Sequence, residues 1–150
     1  AHTERRMATS RITLERIGEP FYFELKNATG NTAYIDAAPA IGGTGKGVRP
    51  MEMLLISVAA CTAADVSSIM EKKRQDVREY LVEVTGTRVE EHPRKFTAFH
   101  VHHIVRGRNV SEQALAHAIE LSDQKYCSVA ATVRPTAEIT TSYEIKEIEV

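Results

Sequence analysis

Residues 50–74, PMEMLLISVAACTAADVSSIMEKKR, decide how this chain folds. Pro50 suits the first turn of a helix, where its missing N–H costs no hydrogen bond, and Glu52 follows near the positive end of the helix dipole. From Met51 to Val66 apolar residues surround the helix axis instead of forming one stripe. Such a pattern predicts a helix buried on all sides. After Ser67 the pattern becomes amphipathic and ends in EKKRQD, residues 71–76, a solvated end whose cations suit a helix C-terminus. In the middle stands Cys61, one of only two cysteines in the chain. Free cysteine packs like a small hydrophobe, and its thiolate is a nucleophile. Both readings are open at this point.

Working outward toward the N-terminus, RITLERI (11–17), FYFEL (21–25) and TAYIDA (32–37) read as three short strands, with NATGN (27–31) as a turn. GGTGKGV (42–48) then separates them from the helix. Its lysine is followed by Gly47, not by Ser or Thr, and no βαβ unit surrounds it, so it reads as a flexible connector and not as a phosphate loop. Toward the C-terminus, REYLVEVTGTRVE (78–90) and KFTAFHVHHIVRG (95–107) alternate and share the turn-like EEHPR (90–94). They predict an antiparallel hairpin. NVSEQALAHAIELSDQKY (109–126) is a second helix, with Ser111 as N-cap and Leu115, Ile119 and Ser122 along one face. Cys127 follows its end, and TAEITTSYEIKEIEV (136–150) closes the chain as a strand. This order is an α+β pattern.

The chain of 150 residues fits one domain, residues 7–150, with AHTERR (1–6) read as a tag remnant or an upstream extension. A formal net charge of −1 gives no electrostatic case for nucleic acid or an anionic membrane surface. The apolar stretch from Met51 to Val66 carries Glu52 and Asp65 and is too short to span a bilayer. No charged-then-apolar leader opens the chain, and two cysteines in such a protein suggest a reducing cytoplasm.

Cys61 and Cys127 can be bridged if the two helices pack together, because a disulfide needs Cα atoms within about 7 Å. Two unrelated packing cysteines are the alternative. Cys61 lies too far into its helix for the dipole to favour a thiolate. Asp65, one turn later on the same face, disfavours one. A cation from elsewhere must activate it. His100 and His102 share one strand face and His103 points the other way. Two histidines can begin a zinc or copper site, but no third ligand stands near in sequence. They read as a polar strand face or a dimer contact, and no metal is assigned.

RPMEMLLISVAACTAADVSSIMEKKRQDV (49–77) resembles the signature of the OsmC/Ohr family, the osmotically inducible and organic hydroperoxide resistance proteins. LSDQKYCSVAATV (121–133) is similar to the second half of that signature, and FTAFHVHHIVRGRNV (96–110) to the hairpin of the OsmC-like branch often called YhfA-like. The resemblance implies an intertwined homodimer, with two central helices packed against antiparallel sheets. It implies a thiol peroxidase needing no cofactor. Cys61 would attack an organic hydroperoxide or hydrogen peroxide and become a sulfenic acid, and Cys127 would resolve that acid as a disulfide. A dithiol or lipoylated protein would reduce the disulfide. An apolar surround would suit a greasy peroxide and protect the sulfenic acid.

The family also sets a glutamate and an arginine beside the reactive cysteine. Glu52 matches the glutamate. Nine residues separate it from Cys61, which on an ideal helix means opposite sides, about 13 Å apart along the axis. A bend, or Glu52 from another subunit, is then required. No GGR occurs in the early loop, and Arg11, placed in the first strand, is the best match to the arginine, ahead of Arg16 and Arg49. A non-catalytic small-molecule or partner-binding protein with structural cysteines is the competing reading. A hydrolase is more distant: Ser57 lies one turn before Cys61 without a serine–histidine–acid set.

Overall fold

Alternation in residues 11–35 produces strands where it predicts them. In the computed structural model, which describes residues 7–149, β1 (Thr13–Gly18), β2 (Tyr22–Lys26) and β3 (Thr32–Ile35) form an antiparallel meander. The extension expected at residues 1–6 lies outside the described residues. Those described fall into two compact units, one ending at Met53 and one beginning at Leu54.

In the first unit the glycine-rich loop is anchored, which corrects its reading as a flexible connector. The Asp36 carboxylate, 1% exposed, accepts from Ala37 N at 2.7 Å, Thr44 N at 3.1 Å and Lys46 N at 3.4 Å, and from the Thr44 hydroxyl. The Thr44 hydroxyl bond leads these in holding the Asp36 pKa below the usual carboxylate range, against the opposing effect of burial. A phosphate-cradling loop needs its N–H groups for the ligand. Here they serve an internal carboxylate. Gly43 is required by close approach, since a Cβ there would meet the Ala37 carbonyl oxygen at 1.9 Å.

Helix α1 (Pro50–Lys72) is one continuous helix that carries both Glu52 and Cys61. It ends as Arg74 turns left-handed (φ 55°) and Gln75 N donates to the Met70 carbonyl. Its buried residues are Val58, Thr62, Val66 and Met70, a single stripe at four-residue spacing. The expected burial on all sides is therefore not met within one chain, where Ile56 is 46% exposed. By length and composition alone the helix could cross a membrane, with a window of mean hydropathy 1.8. The shorter apolar run in the sequence had not suggested this. The buried stripe instead packs on protein: Val66 and Met70 join Val105, Ala114, Leu115, Ala118 and Ile119 in one core cluster.

The second sheet has the order β4 (Asp76–Arg88), β5 (Phe96–Arg108), β6 (Glu138–Glu147). β4 and β5 pair as the expected antiparallel hairpin, but β5 and β6 are parallel. The sheet is mixed, where an antiparallel one was expected. Helices between β5 and β6 carry the chain back before β6 starts, so it runs in the same direction as β5. Period-two burial along β5 turns Phe99, Val101, His103 and Val105 inward. Helix α2 (Glu112–Leu121) is capped as the sequence predicts, with Ala114 N donating to Ser111 Oγ at 3.1 Å. A π-helical turn (Ser122–Tyr126) leads to Cys127 and to a third helix, α3 (Ser128–Val133), that the pattern did not disclose.

Candidate functional site

Cys61 and Asp65 lie one turn apart on α1, and α2 with its π turn delivers Cys127 to them. The Cys61 sulfur, the Cys127 sulfur and an Asp65 carboxylate oxygen all lie within 4.8 Å of one another. Both cysteines are free. Cys61 is half-buried and Cys127 is 5% exposed. Ser122, fully buried at the end of α2, fixes the group: its hydroxyl donates to Asp65 Oδ2 at 2.8 Å and lies 3.0 Å from the Thr62 hydroxyl. Cys127 N donates to the Ser122 carbonyl at 2.8 Å, and Cys127 Sγ accepts from Ala130 N at 3.3 Å, so this thiol also caps α3.

Burial, followed by a hydrogen bond with Cys61, pushes the Cys127 thiol up to about 11, and the α3 N–H groups oppose this only in part. Cys127 is therefore a neutral thiol at pH 7. No cation is among the influences on it. The cavity beside Cys127 is about 10 Å³, walled by Val58, Val101, Ala130 and Ile139. That is room for about one water molecule. A larger cavity of about 290 Å³ opens farther along α1, against Val66, Met70 and Tyr80.

Of the remaining expected residues, none is in the same unit as the cysteines. Glu52, Arg11, Arg16 and Arg49 belong to the first unit, the two cysteines to the second. Arg11 is exposed and precedes β1 instead of lying within it. Arg16 approaches Glu19 at 3.8 Å, and Arg49 N donates to Glu52 Oε1 at 2.9 Å, a first-turn bond that suits the carboxylate at that end of α1. Sequence reasoning missed Thr62 as part of the node and read Ser122 only as a face residue. The available signal was their spacing, Thr62 beside Cys61 and Ser122 five residues before Cys127. It also missed Arg134, whose guanidinium pairs with Asp123 at 2.8 Å at the rim of the small cavity.

His100 and His102 do share the outer face of β5, and both are held by hydroxyls of β6. His100 Nδ1 lies 2.7 Å from Thr140 Oγ1 and its Nε2 2.8 Å from Ser142 Oγ, while His102 Nδ1 lies 2.6 Å from Ser142 Oγ. The polar-face reading fits this geometry. His103 points inward, fully buried, with Nδ1 2.6 Å from the Tyr80 hydroxyl. Among the described residues its Nε2 has no partner.

Comparison with known proteins is in line with the geometry. Residues 43–142 match the family model described as OsmC-like protein. Protein YhfA of Escherichia coli K12 is 43% identical over 121 residues, covering 80% of this chain and 87% of that protein. The crystal structure of a hypothetical protein from Aquifex aeolicus superposes with a TM-score of 0.82 at 34% identity, over 95% of this chain and all of that one. An OsmC-like protein from Mycoplasma pneumoniae gives 0.76 at 21% identity, over 93% and 98% of the two chains, which shows the shared fold.

Proposed function

We propose that this chain, which belongs to the OsmC-like protein family, is a thiol-dependent peroxidase acting on organic hydroperoxides or hydrogen peroxide. The observation that carries this reading is the approach of the two free sulfurs to within 4.8 Å. Cys61, the less buried of the pair, attacks the peroxide as a thiolate. The O–O bond breaks, the distal fragment leaves as an alcohol or water after protonation, and Cys61 becomes a sulfenic acid. Cys127 waits as a neutral thiol. Its sulfur then attacks the Cys61 sulfur, its proton leaves with the sulfenic hydroxyl as water, and a Cys61–Cys127 disulfide remains. A dithiol or a lipoylated protein returns the pair to thiols.

In this reading Arg11 supplies the guanidinium that favours the Cys61 thiolate and Glu52 orients it, both from a second copy in a homodimer. The uncovered apolar sides of α1 support such a dimer. Residues 7–150 act as one domain in the cytoplasm, where thiols stay reduced. Cumene hydroperoxide should consume both thiols in a one-to-one reaction. A Cys61→Ser protein that destroyed peroxide at the wild-type rate would end the proposal.

A second reading is favoured by one observation, the cavity of about 10 Å³ beside Cys127, which has room for a water molecule and not for an organic hydroperoxide. The chain would then bind a small molecule or partner without catalysis, its cysteines serving as packing. Slow alkylation of both thiols, unaffected by peroxide, marks this alternative.

A further inference from the structure

Three electron-rich groups, two thiols and a carboxylate, meet at one point of the second unit. Cys61 and Asp65 project from one face of α1 at i and i+4, the same spacing by which two ligands on a helix reach one metal ion. Cys127 arrives from the start of α3, and the three donor atoms lie within 4.8 Å of one another. A tetrahedral ion with metal–sulfur bonds of about 2.3 Å and a metal–oxygen bond of about 2.1 Å holds its ligands roughly 3.5–3.8 Å apart. The observed spread of up to 4.8 Å is wider by no more than about 1.3 Å, within reach of side-chain rotation.

We propose that the reduced Cys61–Asp65–Cys127 cluster is a binding site for a soft divalent metal ion of the zinc class. Two thiolates and one carboxylate suit zinc or cadmium and are wrong for magnesium or calcium, which take oxygen ligands. The surroundings are those that orient ligands. Ser122 holds Asp65 Oδ2 and leaves the other oxygen free, and the Ala130 N–H is directed at Cys127 Sγ. Three protein ligands leave a fourth position open to water or another small donor. On the polar face of β5, His100 is engaged at both ring nitrogens by Thr140 and Ser142, and His102 at Nδ1 by Ser142.

Binding converts two thiols to thiolates and releases two protons. Where the peroxidase reading also holds, one hydroperoxide and two protons convert the metal–dithiolate to the disulfide, an alcohol, water and the free ion. Metal binding itself does not rest on that reading. It needs only the thiols and the carboxylate.

The test contains no peroxide. Reduced, metal-free full-length protein is titrated anaerobically with Cd²⁺, following the ultraviolet thiolate-to-cadmium absorption, and with Zn²⁺ against a chromophoric chelator. One ion per chain is expected, with the absorption of two thiolates and release of two protons. Cys61→Ser and Cys127→Ser should each abolish stoichiometric binding, as should oxidation to the disulfide. Asp65→Asn keeps both thiols and reports the third donor; it should weaken Zn²⁺ by at least about 100-fold, and Ser122→Ala by about 10- to 100-fold. Far-UV circular dichroism verifies that each variant is folded. Absence of a one-equivalent endpoint, or an unchanged affinity in folded Asp65→Asn, overturns the site. Failure of peroxide consumption with intact metal binding would count only against the peroxidase reading.

Discussion

Val58, Thr62, Val66 and Met70 occupy one stripe of α1, yet the two ends of that stripe meet different company. Val66 and Met70 press into Leu115, Ile119 and Val105, an apolar cluster whose burial stabilises the unit directly. Thr62 meets Ser122, with Cys61 and Asp65 beside them. Buried polar groups there are compensated only by their hydrogen bonds, for little net gain. A sequence selected only for stability would continue the apolar stripe. The contrast teaches that the apolar end holds the fold, while under the proposed function the polar end is kept for chemistry.

The largest effect should come from the apolar end. Leu115→Ala, at a fully buried position, should cost about 2–5 kcal/mol in urea unfolding. A loss below about 1 kcal/mol would remove the contrast.

Acid attacks the same end through His103. Burial, then the neighbouring His102, lowers its pKa to about 4, so the native state holds it neutral beside Tyr80. The unfolded chain takes up that proton near pH 6.5, and the native state only near 4. Between these values the unfolded state binds more protons, so stability rises with pH. Acidification from pH 6.5 to 4 should remove on the order of 2–3 kcal/mol from this residue. His103→Gln should flatten that part of the pH–stability profile.

The polar end should give smaller stability effects and larger chemical ones. Ser122→Ala deprives Asp65 of its donor and should cost about 1–2 kcal/mol. Smallest is Cys61→Ser, which should change stability by less than about 1 kcal/mol, because the site is only half-buried. Its peroxide reaction should vanish altogether. Equal losses of stability at Cys61 and Leu115 would mean that the two ends do one job.

Much of this was legible in the chain. The meander, the hairpin, the Ser111 cap and the approach of the two cysteines followed from alternation, turn residues and the quoted motifs. Parallel pairing of β6 was not legible, because direction depends on what the crossover does in space. The anchored loop was missed because Asp36 bonds to residues up to ten positions away, which no local pattern reveals. Asp65 was seen as an obstacle to a thiolate, but not as the partner of Ser122, fifty-seven residues on. Burial around α1 was overestimated because an apolar helix surface records what must be covered, not which chain covers it.

The most direct measurement is mass spectrometry of the reduced protein after one equivalent of cumene hydroperoxide. The account predicts a mass lower by two hydrogens and a single cross-linked peptide pair joining Cys61 to Cys127. An unchanged mass with both thiols still free, or oxidation stacked on Cys61 with Cys127 untouched, would contradict it.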